Sequence, residues 1–230
     1  GLKLNMGNDG IANEDEIVAA LEGKKFKDLN KNMKKFVLFL NKGRPLKDST
    51  IINAYAFKNL KKADLRIELD GNIFFISIKM GKGNSIHQEK VEYFIEFIES
   101  LGASEKVVSD IEDFVDSYES GKIFFEKNPE KRGRIQSFFN KHQQELLKRF
   151  IKAGRSNECQ VDCVYHGNVD YGVWNFTDNI IKRMLNERKT GSAMIYVGLL
   201  TFQKWNTKNK SKHGSIQLKG PTLTRFLKNE

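Results

Sequence analysis

The chain has 230 residues, a formal net charge of +10 and a sequence pI of about 9.4. A hydrophobic content of 39% with 17 phenylalanines can fill a sizeable core, whereas no apolar stretch reaches the roughly 20 residues of a membrane helix. Two cysteines exclude a disulfide scaffold and fit a reducing, cytoplasmic setting. The charge favours nucleic acid over a membrane surface as the partner, because no basic amphipathic helix stands out.

Helical and strand patterns alternate along the chain without an internal repeat. Apolar stripes at helical spacing predict helices over residues 13–21, with Asn13 as the cap, and over 29–40, 88–101, 104–118 and 177–185. A basic turn at residues 131–134 precedes a further helix that ends near residue 151. Strands are predicted over residues 51–57, 63–69, 73–79, 159–165, 193–200 and 215–218. This order indicates an α/β fold in which helices flank a central mixed sheet.

An Asp70-Gly71 dipeptide between two apolar runs predicts a β-hairpin. The run Ile73–Lys79 alternates, so Ser77 and Lys79 share one face of the strand. An antiparallel hairpin brings Asp64, near the open end of one strand, beside Lys79 at the end of the other. A carboxylate beside a lysine at a sheet edge suits metal-assisted hydrolysis of a phosphodiester.

Asp64 followed by Ser77-Ile78-Lys79 resembles the core motif of the PD-(D/E)XK nuclease superfamily. The segment Met80–Glu89 resembles the loop and helix start that follow this motif in some type II restriction endonucleases. The resemblance implies a restriction-endonuclease-like core with Mg²⁺ as its cofactor. It also implies that Asp64 and the backbone carbonyl of Ile78 are metal ligands and that Lys79 orients the attacking water.

Ser77 occupies the place where the superfamily usually has a second acid, so another carboxylate is expected to complete the site. Glu14 is the first choice, because related nucleases place a glutamate of the first helix beside the metal. Glu68, on the same strand face as Asp64, is the second choice, and Glu89 is the third. The expected catalytic residues are therefore Asp64, Ser77, Lys79 and Glu14, with Asp64, Ile78 and Glu14 as metal ligands.

Charge is partitioned along the chain. Residues 85–120 contain ten acids and two bases, whereas residues 201–230 contain seven bases and one acid. A polyanion is repelled by the first region and attracted by the second. The sequence thus predicts one domain over residues 1–230, with a catalytic core in residues 10–120 and a basic, DNA-contacting part in residues 130–230.

Candidate DNA contacts are basic and amide side chains in the loop after the motif, in the basic turn and in the polar C-terminal part. Lysine side chains can donate hydrogen bonds to guanine and to phosphates, and the amides of asparagine and glutamine can pair with adenine. The set is Lys82, Asn84, Gln88, Arg132, Arg134, Gln203, Asn206, Lys208, Lys210, Lys212, Gln217 and Lys219.

The sequence predicts a Mg²⁺-dependent type II restriction endonuclease that cuts double-stranded DNA at specific sites. The alternatives are a repair or junction-resolving nuclease on the same core and a non-catalytic DNA-binding protein with a decayed site. A zinc site at Cys159, Cys163 and His166 is disfavoured, because the two thiols would lie roughly 13 Å apart along a strand. The oligomeric state is open, with a homodimer among the alternatives.

Overall fold

Two units, each with its own β-sheet, make up the chain. The computed structural model describes residues 2–58, 61–81, 85–191, 193–205, 214–220 and 223–227. The first unit comprises Gly1–Gly83, Lys152–Ile180 and Leu223–Glu230, and the second comprises Asn84–Ile151 and Ile181–Thr222. Among the helices of the described residues, none combines the length and the hydropathy that crossing a bilayer requires.

The first unit holds helices on a five-stranded sheet. Its helices are α1 (Leu2–Leu21), α2 (Lys31–Leu40) and α9 (Leu223–Leu227). Its strands are β1 (Asn53–Ala56), β2 (Leu65–Leu69), β3 (Asn72–Lys79), β5 (Cys163–Gly167) and β6 (Gly172–Phe176).

The second unit contains the remaining four strands and most of the helices. Its strands are β4 (Ser85–Lys90), β7 (Ile195–Val197), β8 (Leu200–Lys204) and β9 (Ser215–Lys219). Its helices are α3 (Val91–Ser100), α4 (Glu105–Asp116), α5 (Gly121–Lys127), α6 (Pro129–Lys141) and α7 (Gln143–Leu147). A π-helical segment (Lys148–Ala153) and α8 (Thr177–Asn186) cross the boundary between the units.

The predicted hairpin lies at the centre of the first sheet, whose strand order is β1-β2-β3-β5-β6. Asp70 and Gly71 both have positive φ, 48° and 80°, as the tightest hairpin turns require. β3 pairs antiparallel with β2 and parallel with β5, so the sheet is mixed. The α/β prediction of a central mixed sheet flanked by helices is therefore confirmed.

One face of this sheet packs against α1 and α2. Helical spacing places Ile17 and Leu21 of α1 and Phe36 of α2 on the buried side, each without measurable exposure. The period of two in β2 buries its alternate residues Leu65, Ile67 and Leu69 on the same side. The opposite face of β2 and β3 is thereby left for Asp64, Ser77 and Lys79.

The second sheet has the order β4-β9-β8-β7 and is antiparallel throughout. The ring of Phe202 on β8 lies 5.6 Å from the ring of Phe94 on α3 and 5.0 Å from that of Phe139 on α6. This aromatic contact buries one face of the sheet, together with Ile216 and Leu218 of β9.

Three local predictions are wrong. The helix expected to open at Gln88 begins at Val91, because residues 85–90 form a strand that pairs with β9. The basic segment at 131–134 is not a turn but lies inside α6, which a proline at its first position starts early. Asn13 does not cap a helix, since α1 already begins at Leu2.

Replacing Gly172 by Ala is expected to destabilise the first unit. A Cβ at this position would lie 2.3 Å from the ring of Tyr165, which is fully buried. The expected loss is about 1–3 kcal/mol of unfolding free energy, as for an overpacked core. Gly133→Ala is the matched control, because its Cβ meets open space inside α6 and helix propensity should add up to about 1 kcal/mol. Chemical denaturation of both variants checks this, and equal stabilities would contradict the packing of Tyr165.

Candidate active site

The carboxylate of Asp64 is fixed at the open end of the hairpin. Its Oδ2 accepts a hydrogen bond of 2.7 Å from the backbone amide of Ile78 and a longer contact of 3.5 Å from the Ser77 hydroxyl. The backbone amide of Asp64 donates to the carbonyl of Ile76 at 2.8 Å, so the residue continues the ladder between β2 and β3. Two neighbouring strands therefore orient this side chain.

Burial raises the pKa of the Asp64 carboxyl above its ordinary value. The Ile78 amide and the positive charge of Lys79 act in the opposite direction and offset part of the effect. The structure thus brings Asp64, Ser77 and Lys79 together, as the hairpin geometry predicts. Ser77 is 3% exposed, and its hydroxyl supports Asp64 rather than facing solvent.

Glu14 lies within electrostatic reach of the same pair. Burial, followed by repulsion from Asp64 and from Asp15, raises the pKa of Glu14 to about 7, and Lys79 acts against this rise. The position of Glu14 follows from its neighbour, because the Asn13 amide donates to the carbonyl of Gly167 at 2.8 Å. Gly167 ends β5, whose His166 stands opposite Lys79 in the parallel register. Helix α1 is therefore anchored at the strand end that carries Lys79.

The two other acids considered for the site have partners elsewhere. Glu68 lies further along β2 and forms an ion pair of 3.5 Å with Arg66. Glu89 lies in the second unit, where Arg149 donates two hydrogen bonds of 2.9 and 2.7 Å to its carboxylate. His87 also contacts Glu89 at 3.2 Å. Of the three candidates, Glu14 is the acid that interacts with Asp64 and Lys79.

His166 also lies at this site, although the sequence suggests it only as a ligand of the disfavoured zinc site. Its Nε2 donates a hydrogen bond of 2.9 Å to the carbonyl of Gly81, just after β3. Because β3 and β5 are parallel, His166 and Lys79 lie side by side on one face of the sheet. A predicted parallel pairing of these strands would have revealed this neighbour.

Asp162 is a second partly buried acid that bonds to β3, and it serves as a structural comparison. Its Oδ2 accepts a hydrogen bond of 2.8 Å from the Phe75 amide. Burial raises its pKa, and the charge of Lys152 opposes the shift. Asp162 and Asp64 thus each accept a hydrogen bond from a backbone amide of β3. They differ in their charged neighbours, because Asp64 interacts with Glu14 and Lys79, whereas Asp162 interacts with Lys152.

The carboxylate oxygens near Asp64 suit a hard cation that retains several bound water molecules. Within the described parts of the chain, no group of three or more His, Cys, Asp or Glu side chains could hold a metal ion. A pair of carboxylates is what Mg²⁺ commonly uses, since it retains several waters and takes one or two protein carboxylates. Asp64 and Glu14 provide such a pair.

The predicted DNA-binding residues fall into three groups. Six of them lie outside the described residues, namely Lys82, Asn84, Asn206, Lys208, Lys210 and Lys212. Arg134 donates two hydrogen bonds to Asp110, at 2.6 and 3.0 Å, so its charge is neutralised within the protein. Within the described ranges of the chain, the hydrogen bonds of the Arg132 guanidinium go to neutral backbone carbonyls, those of Met194 and Gly191.

The other four lie on the second sheet, and three of them form a row across it. Gln217 stands directly opposite Gln88 on one side and Gln203 on the other. Gln217 is 5% exposed and its amide donates to the Ser85 hydroxyl at 2.9 Å, so its side chain does not face solvent. Gln88 is exposed, and Gln203 and Lys219 are partly exposed. The polar C-terminal part therefore begins within a strand, because Gln203 belongs to β8.

A solved structure shares this fold. The crystal structure of the restriction endonuclease MspI in complex with its cognate DNA matches with a TM-score of 0.66 and 18% sequence identity. The match covers 94% of this chain and 91% of that chain. No protein-family model and no curated protein matches the sequence. The chain therefore has a restriction-endonuclease-like fold.

The raised pKa of Glu14 makes the stability of the metal-free protein depend on pH. A carboxyl whose pKa is about 7 in the folded protein and 4.5 as an ordinary side chain binds its proton more tightly when folded. The wild type should therefore lose stability relative to Glu14→Gln as the pH rises from about 4.5 to about 7. Thermal unfolding in a chelator across this range measures the difference, with Glu16→Gln on the exposed side of α1 as the charge-matched control. A Glu14→Gln advantage that does not grow with pH would contradict the partly buried position of Glu14 beside Asp64.

Proposed function

We propose that the protein is a Mg²⁺-dependent endonuclease of the type II restriction class that cuts double-stranded DNA at specific sites. One observation carries the proposal. Asp64, Glu14 and Lys79 interact at one end of β3, in a chain with a restriction-endonuclease-like fold. MspI, which shares the fold, was solved with its cognate DNA.

Each residue has a role that its surroundings support. Asp64, Glu14 and the backbone carbonyl of Ile78 would hold the cation, and bound Mg²⁺ would supply a hydroxide-like water and neutralise charge on the phosphate. Lys79 holds the attacking water and opposes the charge that develops on the phosphorus oxygens. The Ile78 amide and the Ser77 hydroxyl keep the Asp64 carboxylate in one orientation.

Glu14 takes the place of the missing second acid. Its carboxyl holds a proton near neutral pH, which relieves its repulsion with Asp64 when no cation is present. A bound cation favours the ionised form, so Glu14 then adds a negative charge to the site. Glu14 of α1 thereby supplies the negative charge that Ser77 lacks at the usual acidic position. This compensation favours an active nuclease over a DNA-binding protein with a decayed site.

Replacing Asp64 by Asn or Lys79 by Ala should reduce cleavage of a supercoiled plasmid in Mg²⁺ by at least about 100-fold, as when one charge-stabilising group is removed from an active site. Asn at position 64 still offers an oxygen to the Ile78 amide, so folding should be preserved. Asp162→Asn is the matched control, because Asp162 makes the equivalent bond to Phe75 at 2.8 Å.

The plasmid products also separate the alternatives. Discrete fragments support a restriction enzyme, and a smear or cutting confined to branched DNA supports a repair or junction-resolving nuclease. Near wild-type cutting by either active-site variant would overturn the assignment of the site. Intact plasmid with all proteins, despite DNA binding, would favour the non-catalytic alternative.

Glu14→Gln should raise the Mg²⁺ concentration needed for half-maximal cleavage by roughly tenfold or more, because one of two carboxylate ligands loses its charge. Chelation of divalent cations should abolish cleavage by the wild type, and added Mg²⁺ should restore it. Glu68→Gln is the matched control on the same unit. If Glu68→Gln shows the higher Mg²⁺ requirement and Glu14→Gln does not, the second ligand is Glu68.

A further inference from the structure

A small cavity in the second unit is lined by cations and amides. It has a volume of about 210 Å³ and lies between α6 and the segment that leads into β7. Its charged lining consists of Arg132, Arg188 and Lys189, and amide side chains of α6 and α7 complete the wall. Among the described residues that line it, none is acidic. A concave site with three positive charges and no carboxylate is suited to an anion.

Arg132 supplies a positive charge that no carboxylate of the described chain neutralises. Its guanidinium is oriented by the carbonyl of Met194, at 2.9 Å, and by that of Gly191. Arg134, two residues further along the same helix, donates two hydrogen bonds to the Asp110 carboxylate instead. Within α6, Arg134 therefore forms an internal ion pair, whereas the positive charge of Arg132 lies at the cavity.

The walls of the cavity are held in place by the protein itself. The Gln136 side chain accepts from the Tyr196 amide and donates to the Tyr196 carbonyl, each at 2.9 Å, and so ties α6 to the edge strand β7. The Lys189 ammonium lies 5.4 Å from the centroid of the Tyr196 ring, and the Lys189 amide donates to Gly198 at 2.8 Å. A site with fixed walls loses less entropy on binding than a flexible one.

We infer that this cavity binds a phosphate group of the DNA backbone. The inference rests on the proposed function, because a double-stranded DNA substrate supplies phosphates along its whole length. The volume of about 210 Å³ is below the roughly 300–1,000 Å³ of pockets that enclose drug-sized ligands, so it suits a phosphate group better than a whole nucleotide. Arginine and lysine are the residues that bind phosphate, arginine through its planar fork of donors.

The test compares two double variants that lose the same charge from the same unit. Arg188→Gln/Lys189→Gln removes the two exposed cations of the cavity, and Lys106→Gln/Lys122→Gln removes two exposed cations elsewhere. Binding to a duplex without divalent cations is measured over a salt series, with thermal unfolding as the check on folding. The cavity variant should lower the slope of log affinity against log salt by about one unit, as expected when one phosphate contact is lost, and the control by much less.

Three outcomes decide the inference. A slope reduced in the cavity variant alone supports it. Equal slopes for the two double variants overturn it, and the proposed nuclease function then still stands if the wild type cuts DNA and Asp64→Asn does not.

The third outcome is stabilisation of the wild type, but not the cavity variant, by inorganic phosphate without any effect on DNA binding. It identifies a site for a free small anion and overturns the assignment to DNA. The single variants Arg188→Gln and Lys189→Gln give the same decision if the double variant unfolds.

Discussion

The hydrogen bond from the Ile78 amide to the Asp64 carboxylate, 2.7 Å long, joins the two strands of the hairpin at its open end. This bond holds the partly buried Asp64 carboxylate in one orientation. It also stabilises the ionised form, which burial disfavours. The ladder continues through the bond from the Asp64 amide to the Ile76 carbonyl, which fixes the backbone from which the carboxylate extends. The geometry of the candidate site depends on this junction.

The charges at the site balance one another. Two carboxyl groups, Asp64 and Glu14, repel each other, and Lys79 attracts both. Such a pair is unfavourable in the isolated protein and becomes favourable when a cation shares the site, since the cation removes the repulsion. Burial, together with this repulsion, raises the pKa of Glu14 to about 7. Carboxyl groups with perturbed pKa values occur often at functional sites.

The sequence predicts the hairpin and the meeting of Asp64 with Lys79, because an Asp-Gly turn and a period of two are local signals. The position of Glu14 could not follow from local pattern. It depends on the contact between Asn13 and Gly167, which are 154 positions apart in the sequence, and it was expected only from the family resemblance. The same limit explains the error at residues 85–90, whose strand is defined by pairing with β9 near the end of the chain. Gln217 resembles a base-reading residue in the sequence, but in the fold its side chain is buried and donates to the Ser85 hydroxyl.

The central claim is that Asp64, Glu14 and Lys79 form a hydrolytic site for double-stranded DNA. Incubation of the wild-type protein with a linear duplex of known sequence in Mg²⁺, followed by mapping of both strands' ends, tests this claim most directly. The account predicts paired breaks on the two strands that recur at one short sequence. A duplex that remains intact while the protein is bound to it would contradict the account.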